Sequence, residues 1–218
     1  MSAPYILWDW NGTLLDDTKA ALATLNAMIA ARGGRPIGMP FYLDHFAFPV
    51  RPFYDKIGII AHDEAEWNAI AREYHETYAR QQKALSASAL VALETAKAAG
   101  CRQAIVSALR QDLLEADLVR YGVADYFERV CGTDNLDGAS KLSRARALLQ
   151  DLRSDPAAGS FILIGDALHD KEVADALGIR CILCAQGSHA AWRLRAVAPT
   201  GDTLEDAVRL AQREMGRV

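Results

Sequence analysis

Apolar residues along the chain fall into two spacings. Residues 5–8 (YILW), 103–106 (QAIV), 161–164 (FILI) and 180–183 (RCIL) form short, almost unbroken apolar runs, with a weaker one at 129–131. Runs of this length and density predict strands buried on both faces, as in a parallel sheet. Between them apolar residues recur at helical intervals: Leu90 and Leu93 ahead of Gly100, Leu114, Leu118 and Tyr121 ahead of Gly122, the stripe Leu142, Ala145, Leu148, Leu149 and Leu152, and Val173 and Leu177 ahead of Gly178. A glycine just past the last periodic residue is a helix stop signal. Asp202 and Glu205 have capping-box spacing before a last helix carrying Leu204 and Val208. Strand and helix thus alternate from about residue 88 onward, which predicts an α/β fold with a doubly wound parallel sheet.

Residues 16–85 interrupt the alternation. Leu22, Leu25 and Ile29 share one helical face, and Trp67, Ile70, Tyr74 and Tyr78 share another, expected to form the core of the insert itself. A Gly- and Pro-punctuated, aromatic piece at 46–54 lies between them. The division this predicts is a core of residues 1–15 and 86–218 and an inserted helical unit of residues 16–85.

Composition narrows the class. The 218 residues are 51% hydrophobic and 24% charged with a formal net charge of −4, the profile of a globular protein large enough to need no disulfide or metal staple. The four cysteines, Cys101, Cys131, Cys181 and Cys184, are too few and scattered for a disulfide framework, and the first residues lack the layout of a secretory signal, so a reducing, cytoplasmic setting is expected. No apolar run approaches the roughly 18 residues that span a bilayer, and no Lys/Arg block marks a surface for nucleic acid or membrane. An anionic ligand would therefore need a local device, such as a metal ion or a placed lysine.

In an open parallel sheet ligands sit beyond the carboxyl ends of the strands. At those places stand Asp9, Asn11, Gly12 and Thr13, then Ser107 and Ala108, then Lys141 at the head of a helix, then Asp166 and Asp170. Three carboxylates with a hydroxyl and a lysine suit Mg²⁺ and a phosphate ligand. Each residue alone also has an ordinary reading: a turn cap for Asp9, an N-cap for Ser107 on the helix around Leu113, helix-terminal carboxylates for Asp166 and Asp170, and a surface lysine beside Arg144 and Arg146 for Lys141. The Cys181/Cys184 pair has the spacing of a redox or zinc motif, but its apolar strand favours plain packing. His45, His62, His75 and His189 have no metal-like companions. Arg51 and Tyr54, inside the aromatic piece, are candidates for reading a substrate over the site.

The ordered set Asp9-Trp10-Asn11-Gly12-Thr13-Leu14-Leu15-Asp16, the apolar run ending at Ser107, Lys141, and Gly165-Asp166-Ala167-Leu168-His169-Asp170 resembles the four motifs of the haloacid dehalogenase-like hydrolase superfamily. The helical insert resembles the small cap of its phosphoglycolate-phosphatase-like branch. The resemblance implies an Mg²⁺-dependent phosphatase of a small phosphorylated metabolite, phosphoglycolate-like, acting as a monomer or homodimer. It makes Asp9 the nucleophile that forms an aspartyl-phosphate, and Asp9, the backbone carbonyl of Asn11, Asp166 and Asp170 the metal ligands. Gly12, Thr13, Ser107, Ala108 and Lys141 would hold the phosphoryl group, with Lys141 also restraining Asp9.

One position departs from that pattern. The phosphatases carry a second aspartate two residues after the nucleophile as general acid and base, where this chain has Asn11. An amide cannot shuttle a proton, so help worth roughly 10²–10⁴-fold is missing unless His169, Asp16 or Asp17 supplies it. The alternatives this leaves open are a weakly active or non-catalytic phosphate-binding protein, or a dehalogenase or phosphonate hydrolase, for which only Lys56 is a candidate Schiff-base lysine.

Overall fold

The computed structural model describes residues 2–134 and 141–216. After β1 (Ala3–Trp8) and the short β2 (Leu15–Asp16) come the insert helices α1 (Thr18–Ala31), α2 (Met39–His45), α3 (Arg51–Lys56) and α4 (Glu64–Ala79), and then β3 (Ala84–Leu85). The alternation follows: α5 (Ala89–Ala98), β4 (Arg102–Arg110), α6 (Gln111–Arg120), β5 (Arg129–Thr133), α7 (Lys141–Arg153), β6 (Ala158–Gly165), α8 (Leu168–Leu177), β7 (Arg180–Cys184), α9 (Ala191–Arg195), β8 (Thr200–Gly201) and α10 (Leu204–Met215).

Six parallel strands form one sheet in the order β5-β4-β1-β6-β7-β8. Each is a crossover apart from its chain neighbour, which a parallel sheet requires and the intervening helices supply. Alternation along β1 shows why the run is apolar throughout. Ile6 and Trp8 face one side and pack with α5, α6 and α10, whereas Tyr5 and Leu7 face the other and pack with α7, α8 and α9. β1 is central, between β4 and β6, so its carboxyl end opens at the middle of the sheet.

The chain leaves the sheet layer through β2 and returns through β3, which pair antiparallel with Leu15 opposite Leu85 and Asp16 opposite Ala84. The four insert helices have a core of their own, centred on Leu25, Met28, Tyr42, Phe53 and Ile59. The insert is also tied down at its far side. Ala190 N–H donates to the Leu43 carbonyl (3.1 Å), Arg193 Nη1 donates to the carbonyls of Leu43 (2.8 Å) and Phe46 (2.9 Å), and the Phe46 ring meets His189 edge-on.

Two local expectations are corrected, and one strand is new. The capping box lies one residue further on: Thr203 Oγ1 accepts from Asp206 N–H and the Asp206 carboxylate accepts from Thr203 N–H, leaving Asp202 outside the helix. β8 was too short to show as an apolar run; its two residues pair only at the edge of β7. Ser107 is not an N-cap, because β4 continues to Arg110 and α6 begins at Gln111.

Candidate active site

Beyond the ends of β1 and β6 three carboxylates converge. Asp9, Asp166 and Asp170 are all buried, and each offers an oxygen within 4.8 Å of the others. Lys141, at the first position of α7, donates from Nζ to Asp9 Oδ1 and to Asp170 Oδ1, both at 2.7 Å. The cluster is built by close backbone approach. Gly12 has φ +77°, and a Cβ there would stand 2.4 Å from Asp166 Oδ2. Thr13 Oγ1 bridges toward Asp166 Oδ1 at 3.1 Å and Asp9 Oδ2 at 3.4 Å. Asp170 doubles as a helix-start group: its Oδ2 accepts from the N–H of Asp166 (3.1 Å) and Ala167 (3.0 Å).

Three buried carboxylates against one ammonium leave an excess of negative charge in a region of low dielectric. Burial, then the neighbouring charges of Asp170 and Asp166, push the Asp9 carboxyl up against the pull of Lys141. Burial and Asp170 likewise push Asp166 up to about 7. Asp170 alone is held below its ordinary value, since Lys141 and backbone N–H bonds outweigh its burial. Lys141 goes up, because the two carboxylates outweigh the burial that would discharge it. A hard divalent cation held by these oxygens fits both the donor chemistry and the charge excess, so the residues present match Mg²⁺.

Asn11 stands beside this cluster and faces Asp17. Its Nδ2 donates to Asp17 Oδ2 (2.8 Å) and lies 3.0 Å from the Tyr78 hydroxyl, while Gly12 N–H donates to Asp17 Oδ1 (2.7 Å) and Tyr78 OH donates to Asp17 Oδ2. Asp17 is therefore a buried carboxylate gripped by three donors. Burial raises its pKa and those hydrogen bonds pull it partly back. Of the three groups weighed as replacements for an acid, Asp17 and His169 border the cavity described below and Asp16 is exposed on β2. His169 is also stacked on Phe48 and paired with Glu172.

Above the carboxylates a cavity of about 170 Å³ runs up between core and insert. Asp9, Asn11, Gly12, Ser107, Ala108 and Lys141 form its floor with Asp166 and Asp170, so the sequence motifs meet in one place. Thr13 sits directly beneath them. Tyr54 lines the upper wall. Arg51 does not: it pairs with Glu64 at 2.7 Å and lies over the outer face of Trp67, which corrects the expectation that it reads an anion at the site. Lys56 is exposed over Phe41, away from the cavity.

Several wall residues escaped the sequence reading. Trp67, Tyr74 and Tyr78, expected to be internal packing of the insert, border the cavity as well, as do Tyr42, Phe46, Phe48 and His75. Ser188, whose N–H and Oγ both donate to Asp166 Oδ2 at 2.6 Å, follows β7 and carries no motif. Its only legible signal was its place past a strand's carboxyl end. Cys181 and Cys184 are buried in β7 as free thiols, and burial pushes Cys184 up to about 12, as for thiols packed in an apolar strand.

The family model for haloacid dehalogenase-like hydrolases matches residues 6–184. The chain is 24% identical over 194 residues to a phosphoglycolate phosphatase of Rhodobacter capsulatus, covering 85% of each protein. Among solved structures it superposes on one described as a "predicted phosphatase" from Clostridium acetobutylicum with a TM-score of 0.80 at 16% identity, covering 98% of this chain and 100% of that one. It also superposes on Protein Tyrosine Kinase A of Mycobacterium tuberculosis with a TM-score of 0.74 at 22% identity, over 96% and 98% of the two chains. Those two likenesses establish a shared fold, and the family match adds the hydrolase chemistry. With its sheet, its insert and its four motifs in place, this chain belongs to the haloacid dehalogenase-like hydrolase family.

Proposed function

We propose that the protein is an Mg²⁺-dependent phosphatase of a small phosphate monoester, working through an aspartyl-phosphate on Asp9. The observation that carries this is Asp9 itself, buried at the cavity floor between Lys141 and the other two carboxylates. The Asp9 carboxylate oxygen forms a bond to phosphorus as the bond from phosphorus to the ester oxygen breaks, and the departing oxygen takes a proton from solvent water to leave as the alcohol. Water then cleaves the acyl phosphate, releasing inorganic phosphate and restoring Asp9.

Lys141 orients Asp9 through Oδ1 and places a fixed positive charge beside the transferring group. Ser107 and Ala108, at the same floor, supply the polar edge that holds phosphoryl oxygens. Asp9, Asp166, Asp170 and the Asn11 carbonyl would hold Mg²⁺, which supplies Lewis-acid neutralisation of phosphate charge when bound. Residues 16–85 act in this reading as a cap that excludes water from the reacting atoms, hinged at β2 and β3. Among the described residues no helix is long and apolar enough to cross a membrane.

The test is phosphate release from a panel of small phosphate esters with Mg²⁺ or with EDTA, by the protein and by Asp9→Asn. Turnover that needs Mg²⁺ and is lost in Asp9→Asn supports the reading. Release that survives Asp9→Asn overturns it.

A further inference from the structure

We infer that the substrate is a phosphate ester of an uncharged alcohol carrying one aromatic or similarly flat apolar ring, rather than of an acidic alcohol such as glycolate. The inference rests on the phosphatase reading and names the substrate class of the same site.

Charge is the first argument. Among the described residues lining the cavity, Lys141 is the one lysine or arginine, and both its carboxylate partners lie at 2.7 Å. Every other charged group on the floor is acidic. Arg51, the cation nearest in sequence to the upper wall, is turned outward onto Glu64. Arg193 is occupied by the carbonyls of Leu43 and Phe46. The two histidines at the wall are engaged too: His169 with Phe48 and Glu172, and His75 with neighbours that include the Tyr74 ring. Lys141 and the Mg²⁺ that the floor would hold are both taken up by its carboxylates and the phosphoryl group, so a second carboxylate on the substrate, as in phosphoglycolate, would be buried with no lysine or arginine of the cavity left to pair with it, which is strongly unfavourable.

The wall itself is the second argument. Leu25, Tyr42, Phe48, Val50, Tyr54 and Trp67 present apolar and aromatic surface above the phosphate floor. The rings are held in place by one another, with Tyr74 stacked on Tyr78 at 5.7 Å and Tyr54 edge-on to Trp67 at 5.6 Å. Burial raises the phenols of Tyr42, Tyr54, Tyr74 and Tyr78, so all four stay neutral in neutral solution. Rigid rings of this kind accept a flat apolar body at little entropic cost. Size is the third. The cavity, about 170 Å³, is on the scale of the roughly 150 Å³ apolar void that holds one benzene, which favours a small ester with a single ring over an extended ligand.

The experiment compares benzyl phosphate with 2-phosphoglycolate, both esters of primary alcohols, on the full chain with Mg²⁺, and repeats the pair on Val50→Arg, which puts a guanidinium into the apolar wall. The expected result is a kcat/KM at least tenfold higher for benzyl phosphate, with a ratio that falls at least tenfold in Val50→Arg. Equal or better turnover of 2-phosphoglycolate by the unmodified protein overturns the inference and leaves the phosphatase reading standing. If neither ester is hydrolysed, the ester panel and Asp9→Asn decide the phosphatase reading, and calorimetric titration of the same two esters decides the inference separately. Benzyl phosphate binding at least tenfold tighter supports it, and any other order overturns it.

Discussion

Asn11 and Asp17 form a pair whose chemistry depends on which member carries the charge. The amide at 11 donates to the carboxylate at 17 across 2.8 Å, and Tyr78 and Gly12 N–H complete the grip on that carboxylate. Asn11→Asp alone sets two buried carboxylates against each other, so it gains a transferable proton while straining the pair. Exchanging both, Asn11→Asp with Asp17→Asn, preserves an amide-to-carboxylate bond and moves the acid next to the reacting group. The double variant is expected to raise kcat on an alkyl phosphate by on the order of 10², with a smaller gain in the single variant. Steady-state kinetics with Mg²⁺ checks this, and a double variant no faster than the parent would show that the missing acid does not limit turnover. At this scale the floor was legible and the wall was not. Asp9, Ser107, Lys141, Asp166 and Asp170 were readable because each follows or faces the end of a strand, where geometry leaves few places for a side chain to go. Tyr78 was not, since its partners Asn11 and Asp17 are more than sixty residues away. Arg51 misled because its local aromatic setting said nothing of Glu64, whose place on α4 is set by the packing of the insert.

Among elements, α2 and α9 hold the insert against the sheet layer. Arg193 donates one nitrogen to the carbonyls of both Leu43 and Phe46, at the carboxyl end of α2. Hydrogen bonds from a charged donor contribute about 1.5–3 kcal/mol each, so Arg193→Ala weakens closure by enough to raise KM roughly tenfold. A smaller effect on kcat is expected, because the residue lies outside the cavity. Progress curves on any hydrolysed ester check this, and an unchanged KM would show that the contact does not govern closure. Strand positions were readable from apolar runs, whereas their ends were not. β4 runs on to Arg110 and the last helix starts one residue later than its capping signal, because pairing with β5 and the local Thr203–Asp206 bonds set those limits.

For the whole molecule, His189 couples stability to pH. It is buried, packs edge-on against Phe46, and its pKa is lowered to about 4, chiefly by burial and then by Arg193, with Asp170 opposing. An unfolded histidine titrates near 6.5. Between those values the unfolded chain binds more protons than the folded one, so stability is full above about pH 6.5 and falls as the solution is acidified toward pH 4. The loss attributable to this group between pH 7 and pH 5 is on the order of 2 kcal/mol. Urea unfolding at the two pH values measures it, and His189→Phe should remove most of the difference. A His189→Phe protein with the parent's full pH dependence would assign the effect elsewhere.

The sequence by itself determined the layered α/β class and the order of the motifs. Those follow from short-range physics: strand and helix periodicities, glycine stops, and residue types that chemistry requires at strand ends. Only the tertiary structure decided what surrounds the phosphate floor. Whether Trp67 and Tyr74 faced a core or a cavity, whether Arg51 pointed in or out, and which group met Asn11 all depend on how the insert packs across the sheet. Those contacts join residues far apart in the chain, and no local pattern encodes them.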